Sequence, residues 1–504
     1  MTTSKNIIPA ILIIILIGNE FLIAQPNTSN QLNKIKSLID KFSDEDPWVN
    51  GEAIDELVKI GESSVNQLIE SLTMNNENVR WCSAIALEKI SPKGIQSIPY
   101  LINALKDDNS NVRWCSALAL GKFKEIVSSS VPELQKLLYD EDNNVRWAAF
   151  CSISKIDKSL LNVVPDISDK IKIVESLTPK LISELNVPGV SISIINNNQI
   201  SYSKTFGISD AGTKTPVEEN TMFEACSMSK PVFAMLALKL VQKGILDLDT
   251  PLFNYYAENF VSADDDYTKQ ITARMILTHT SGMPNWRMGD EERNGPIPVY
   301  FKPGLKFNYS GEGIYYLQRV IENITKQPLE IFANDNLFDK LNLKSTSFVW
   351  RDNFDGQIST GHNSLGNCNE RKKYLHANAA FTLYTTSNDY AKIILELMNS
   401  YKNKNSIISN NLITEMLSHQ VRVESREVTE RPGRNLGFQA FRGLGWAIDS
   451  TITGDVIYHS GANQTGFRCY SQFSPKDGSG IVIMTNGENG SELWTKLIKK
   501  IGDI

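Results

Sequence analysis

Apolar positions along the chain fall into three regimes. From Ile7 to Ile17 they run almost unbroken, with Lys5 ahead of the run and Gly18-Asn19-Glu20 behind it. That is short for a bilayer span, which needs about 20 apolar residues. It has the layout of an export segment: a basic start, an apolar middle and a small residue, Ala24, before Gln25-Pro26. Residues 1–24 are therefore expected to be a signal peptide, leaving an exported chain, periplasmic or extracellular, with no stable membrane span once the segment is removed. Retention as an anchor is the alternative. No cysteine sits near the end of the segment, which argues against lipid attachment. Between residues 32 and 157 the apolar positions take a helical period. From 169 to 504 helical and alternating stretches mix.

The middle regime repeats itself. Asn78-Val79-Arg80-Trp81-Cys82-Ser83-Ala84 returns as Asn111-Val112-Arg113-Trp114-Cys115-Ser116-Ala117, and again as Asn144-Val145-Arg146-Trp147-Ala148-Ala149. Each copy opens an amphipathic helix. A second helix is expected at Ile98-Pro99 and at Val131-Pro132, where proline suits a first helical turn. A degenerate earlier copy fits Asp46 to Leu72. Evenly spaced helix pairs of this length stack into a solenoid, and the pattern resembles HEAT-type repeats, about four of them. Arg80, Arg113 and Arg146 are expected to form a ladder with acidic or amide groups of neighbouring repeats. A solenoid supplies either a face for a protein partner or a cover docked on the next domain. Nothing in the repeats suggests catalysis.

In the third regime, Asp169 to Leu185 is helical and Val187-Pro188-Gly189 breaks it. Gly189 to Ile195 alternates through Val190, Ile192 and Ile194, and Asn196-Asn197-Asn198 turns the chain into a second strand, Gln199 to Phe206. A long buried helix follows at Pro231 to Lys243. Helices covering an antiparallel sheet make an α+β domain, joined to the all-α solenoid through Asp157 to Ser168. The hydrolase part is expected to fold without the solenoid.

Composition changes this picture little. Charged residues are 21% of the 504, and the net charge is −6; no basic patch points to nucleic acid. The six cysteines invite a disulfide reading in an exported chain, but Cys82 and Cys115 recur at equivalent repeat positions and, with Cys226, read as small core residues. The five histidines show no metal-ligand spacing, so neither metal nor cofactor is expected.

One stretch carries chemistry: Phe223-Glu224-Ala225-Cys226-Ser227-Met228-Ser229-Lys230. A serine hydroxyl needs a group to take its proton, and a lysine three residues on shares its helical face. Ser152 to Lys155 and Ser201 to Lys204 share the spacing but open no long apolar helix. Context separates them. Asn220-Thr221-Met222-Phe223, Leu277-Thr278-His279-Thr280-Ser281-Gly282, Lys302-Pro303-Gly304, Tyr309-Ser310-Gly311, Gly443-Leu444-Gly445-Trp446 and His459-Ser460-Gly461-Ala462 follow in order. This series resembles the serine beta-lactamase-related family, which groups class C beta-lactamases, D-alanyl-D-alanine carboxypeptidases, D-amino-acid peptidases and some esterases.

The resemblance covers Asp169 to Ile504 and implies roles. Ser227 is the nucleophile and Lys230 its base. Tyr309 shuttles a proton, which needs a nearby cation such as Lys230. His459-Ser460-Gly461-Ala462 stands where the family carries Lys-Thr-Gly, on the strand edging the site, with the N–H groups of Ser227 and Ala462 as oxyanion donors. His459 puts a titratable group where relatives have a permanent cation. Gly311 replaces an asparagine that lactam-cleaving members place against the acyl-side amide, and an asparagine restored there is expected to favour lactams if the backbone admits it. His279 and Ser281 look like a hydrolase pair, but in the family their turn supports the site wall. The function implied is a serine hydrolase acting through an acyl-enzyme on D-amino-acid peptides or small esters. A beta-lactamase, and a non-catalytic protein that binds partners through its solenoid, are the alternatives.

Overall fold

The computed structural model describes residues 28–501, less 45, 92, 125–128, 141, 158, 160–166, 258–260, 263–264, 289–294, 405, 424–438 and 452–453. The expected signal peptide and most of the junction lie outside these residues. Among the described residues no helix is long and apolar enough to cross a membrane.

The N-terminal part is helical throughout: α1 (Thr28–Asp40), α2 (Pro47–Ile60), α3 (Val65–Ser71), α4 (Glu77–Ile90), α5 (Ile98–Ala104), α6 (Ser110–Leu120), α7 (Val131–Leu137) and α8 (Asn143–Asp157). The repeated sequence builds repeated joints. Asn76, Asn109 and Asp142 each accept two backbone N–H groups at the start of α4, α6 and α8, the bonds that helix N-termini otherwise lack. Ala84, Ala117 and Ala149 are fully buried, so α4, α6 and α8 pack side by side. The arginine ladder forms as expected at two rungs. Arg80 grips Asp107 through Nε and Nη2 at 2.7 and 2.9 Å, and Arg113 grips Asp140 at 2.8 and 2.8 Å. Arg146 donates to the Asp140 carbonyl, as Arg113 does to the Asp107 carbonyl.

After α9 (Ile167–Glu184) the chain builds a nine-stranded sheet. Its strands are β1 (Gly189–Asn196), β2 (Gln199–Asp210), β3 (Thr215–Pro216), β6 (Val421–Val423), β7 (Gln439–Arg442), β8 (Ala447–Thr451), β9 (Gly454–Ala462), β10 (Arg468–Ser474) and β11 (Ser479–Thr485), in the order β3-β2-β1-β11-β10-β9-β8-β7-β6; β4 (Phe223–Glu224) and β5 (Tyr384–Thr385) pair separately. All the pairings are antiparallel. Asn197 and Asn198, both at positive φ, make the β1–β2 turn.

Helices cover both faces of the sheet. On one side Val190, Ile192 and Ile194 pack with α9 and the C-terminal helix Gly490–Ile501. The intervening Ser191 and Ser193, polar positions in an alternating strand, are also buried, because the helix Ser387–Tyr401 lies over them and Ser387 Oγ bonds both at 2.8 Å. On that second side runs α10 (Ser229–Gln242), whose residues from Ser229 to Leu240 are all buried. The solenoid touches the sheet at its β6–β7 edge: α2 packs against β7, and Glu52 meets Arg422 at 2.9 Å. Lys170 of α9 lies 5.4 Å above the Trp147 ring.

Candidate active site

Ser227 sits in a single helical turn, Cys226–Met228, that leads into α10. The turn is tied down on three sides. Ala225 N–H donates to the Leu383 carbonyl at 2.7 Å, Ser229 Oγ to the Cys226 carbonyl at 2.5 Å, and Tyr390 OH to the Met228 carbonyl at 3.0 Å. Cys226, directly ahead of the serine, has φ +53°. A side chain in that conformation persists only where its surroundings fix it, and such residues concentrate at functional sites.

Lys230 lies one turn on, fully buried. Its Nζ donates to Ser227 Oγ at 3.1 Å and to the Ala380 carbonyl at 2.8 Å, and it lies 4.7 Å from the centre of the Tyr309 ring. The lysine is thus held by a hydroxyl and a carbonyl and faces an aromatic ring, with no carboxylate partner in the described residues. Tyr309 precedes the helix Gly311–Thr325, whose first turn Ser310 caps by accepting from Gly313 N–H. His279, at φ +58°, accepts the Ser310 N–H through Nδ1 at 3.1 Å, and its ring stands 4.3 Å from that of Tyr309. It backs the tyrosine from the far side, the wall role expected of its turn.

The fourth segment is the end of β9. Gly461 comes so close to the nucleophile turn that a Cβ there would lie 2.4 Å from the Ala225 carbonyl and 3.1 Å from Ser227 N. Only glycine permits this approach, which brings the end of β9 against the Ser227 amide; the next residue, Ala462, is exposed. His459 sits two residues back on the same face of the strand. It is 4% exposed and its Nδ1 lies 2.7 Å from the Ser460 carbonyl, so Nδ1 carries the hydrogen. Burial, with the charges of Lys230 and Arg442 added, pushes its pKa from 6.5 down to about 3. The imidazole is therefore neutral near pH 7. His279 is pushed in the same direction, first by burial and then by Arg442 and Lys230.

Gly311 leaves no room for a side chain. A Cβ there would meet the Asn285 carbonyl and the Trp286 ring, both at 2.7 Å. The backbone does not admit an asparagine at this position. The Asn285 carbonyl and the Trp286 ring fill that space, and Asn285 Oδ1 accepts Gly311 N–H at 3.1 Å.

Three features had no local sequence signature: the Ala380 carbonyl, the Trp286 ring and Arg442, whose guanidinium covers Phe307 beside Tyr309. Glu224 lay within the conspicuous stretch and was passed over. Its Oε2 accepts from Asn463 Nδ2, Thr465 Oγ1 and Tyr374 OH at 2.6, 2.8 and 3.2 Å, and burial raises its pKa despite those donors. It joins the strand before the nucleophile to the turn after Ala462. Cys226 and Cys469 are buried free thiols that both donate to the Glu224 carbonyl at 3.2 Å. No group of residues that could hold a metal occurs among those described.

Comparison with known proteins places this architecture. The beta-lactamase family model matches residues 174–503, and the HEAT repeats model matches residues 65–150. Protein flp of Staphylococcus aureus is 23% identical over 359 residues, covering 66% of this chain and 66% of its own length. Esterase EstB of Burkholderia gladioli is 26% identical over 200 residues, 35% of this chain and 51% of that one. Among solved structures, the D-alanine carboxypeptidase AmpC from Burkholderia cenocepacia superposes with a TM-score of 0.53 at 19% identity, over 67% of this chain and 99% of its own. The beta-lactamase/D-alanine carboxypeptidase from Pseudomonas syringae gives 0.56 at 18%, over 66% and 98%. At such identities the structures show the fold alone. The chain, with its HEAT repeats ahead of the matched region, belongs to the beta-lactamase family, whose fold is that of a serine hydrolase.

Proposed function

We propose that this chain is an exported serine hydrolase that cleaves small esters or D-amino-acid peptides through an acyl-enzyme on Ser227. The observation that carries the reading is the placement of Lys230 Nζ, 3.1 Å from Ser227 Oγ and anchored on the Ala380 carbonyl. Ser227 Oγ attacks the substrate carbonyl while Lys230 takes its proton. The developing oxyanion falls to the N–H groups of Ser227 and Ala462, donors fixed before the reaction begins. Tyr309, in the field of the Lys230 cation, gives its hydroxyl proton to the leaving group and recovers one from Lys230. In the second half-reaction the same pair deprotonates the water that releases the acyl group. The export segment expected from the sequence and the esterase relative both accord with this reading.

Gly311 and His459 favour esters or peptides over lactams. No amide from residue 311 meets an acylamido group, and a neutral imidazole is a weak anchor for a substrate carboxylate. A site without the polar partner loses the preference that partner would confer. Two measurements test the reading. Intact mass after a fluorophosphonate probe should show one adduct, and kcat/KM for nitrophenyl acetate should exceed that for a chromogenic cephalosporin by at least tenfold (about 1.4 kcal/mol in barrier). A preference for the cephalosporin would replace the ester reading with a lactamase. No adduct and no turnover would leave only the solenoid as a functional element.

A further inference from the structure

The ring of Trp286 is 39% exposed in a domain that buries most of its large apolar side chains. Its position is fixed from both sides. The strap that carries it, residues 283–287, is stitched to the Tyr309 segment: Asn308 Nδ2 donates to the Met283 carbonyl, Ser310 Oγ to the Pro284 carbonyl, and the N–H groups of Gly311 and Glu312 to the Asn285 carbonyl. Glu312 then accepts from Arg287 N–H and Nε. The ring itself lies directly on Gly311, in the space a side chain there would fill.

On its other side Trp286 meets Phe381 edge to face, centroids 5.5 Å apart. Phe381 follows Ala380, whose carbonyl holds Lys230. Tyr374 packs edge to face on Phe381 at 5.4 Å and donates its hydroxyl to Glu224, three residues before Ser227. Trp286, Phe381 and Tyr374 thus form a row tied at one end to the Tyr309 segment and at the other to the strand leading into Ser227. Its middle member adjoins the lysine's anchor.

Resting on the acyl-enzyme reading above, we infer that Trp286 and Phe381 wall an acyl-side subsite that selects substrates with an aromatic acyl group. The family's asparagine would offer an amide where this chain offers an aromatic surface. Such a surface rewards a flat apolar group by burial and edge-to-face contact and gives an acylamido group no hydrogen bond. The two rings touch substrate and determine specificity; neither moves a proton.

The test compares the nitrophenyl esters of acetic and phenylacetic acid on the full chain. Trp286→Ala should lower kcat/KM for the phenylacetate roughly tenfold, with the acetate changed by less than about threefold. Phe381→Leu should shift the ratio the same way by less. Trp286→Leu, which keeps an apolar side chain over Gly311 and loses the flat ring, should also lose the phenylacetate preference; it serves if the alanine variant fails to fold. Equal losses on both esters would make the ring a structural prop and overturn the inference, as would a gain on the phenylacetate, which would mean that the ring blocks the subsite. If neither ester is cleaved and the fluorophosphonate does not label the protein, the acyl-enzyme reading fails, and the subsite with it. A labelled, active enzyme whose ratio ignores residue 286 sinks the subsite alone.

Discussion

In the solenoid, Arg80 finds Asp107 and Arg113 finds Asp140 across the same interval of 27 residues, through the same pair of bonds. In the hydrolase domain, Lys230 finds Ser227 three residues away and the Ala380 carbonyl 150 residues away, and nothing duplicates either contact. Both regions fix charged groups in protected surroundings, but the solenoid does so in copies and the site does so once. A repeat array distributes its stability over neighbouring units. Damage to one unit should be graded and local. A site assembled from single contributions of α10, the Tyr309 segment, the Ala380 loop and β9 should fail entirely when one of them goes.

The largest effect is expected at Ser227. Ser227→Ala removes one oxygen from a turn held by Leu383, Tyr390 and Ser229, so the fold should survive. Ester turnover should fall by roughly 10^4-fold or more, and the fluorophosphonate adduct should vanish from the intact mass. Labelling at the wild-type rate would show that the nucleophile lies elsewhere and would erase the contrast with the solenoid.

Arg113→Ala is the matching experiment in the repeats. The ion pair is well shielded, with side chains 10% and 8% exposed, and removing the arginine leaves Asp140 short of its main partner. Breaking a buried pair of this kind costs about 3 kcal/mol. Hydrogen exchange should rise in α6, α7 and α8, while ester turnover stays at its original value. Loss of turnover would mean that the solenoid's order reaches the site, through the α2 contact with β7 or the Glu52–Arg422 pair.

How much of this was legible in the chain follows the same division. The solenoid could be read because its contacts are local and repeated: Asn-Val-Arg-Trp appears three times, and each copy carries its cap and its arginine. The nucleophile turn could be read because Ser227 and Lys230 share one helical face and precede an unbroken apolar run. The rest of the site depends on folding. A backbone carbonyl such as that of Ala380 has no sequence signature. Trp286 looked like any tryptophan in a polar segment until it lay on Gly311. His459 was identified by position, yet its charge depends on burial and on Arg442, which are tertiary facts. Ser191 and Ser193 are the polar positions of an alternating strand, and their burial beneath Ser387 follows from a helix far along the chain.

Acid should expose the next difference. A histidine whose pKa is lower folded than unfolded binds its proton more readily in the unfolded chain. Its contribution to stability is then complete above about 6.5 and drains away as the pH falls toward the folded value. His459 has a window from 6.5 down to about 3, and His279 is displaced in the same direction. At pH 5 His459 should cost about 2 kcal/mol. Glu224, whose pKa is raised, works the opposite way, so the informative quantity is a difference. Urea unfolding of the wild type and of His459→Gln at pH 7 and pH 5 should show a shallower acid loss in the variant, by about 2 kcal/mol. Identical slopes would mean that His459 titrates normally in the folded protein.

The smallest effect belongs to the helix caps and tests the modularity of the solenoid most directly. Asn76 Oδ1 accepts the N–H groups of Asn78 and Val79 at 2.8 and 3.4 Å. Replacing such a cap with alanine costs about 1 kcal/mol. Asn109 makes the same cap on the next repeat and adds an exposed contact to Glu77 at 2.8 Å. Asn109→Ala should therefore exceed Asn76→Ala by a few tenths of a kcal/mol, the usual worth of an exposed polar pair. The double variant decides the matter. If each repeat carries its own cap energy, the two losses add to within about 0.5 kcal/mol in urea unfolding. A larger departure from additivity would mean that α4 and α6, packed side by side through Ala84 and Ala117, unfold as one unit. The repeats would then share the all-or-none character expected of the active site.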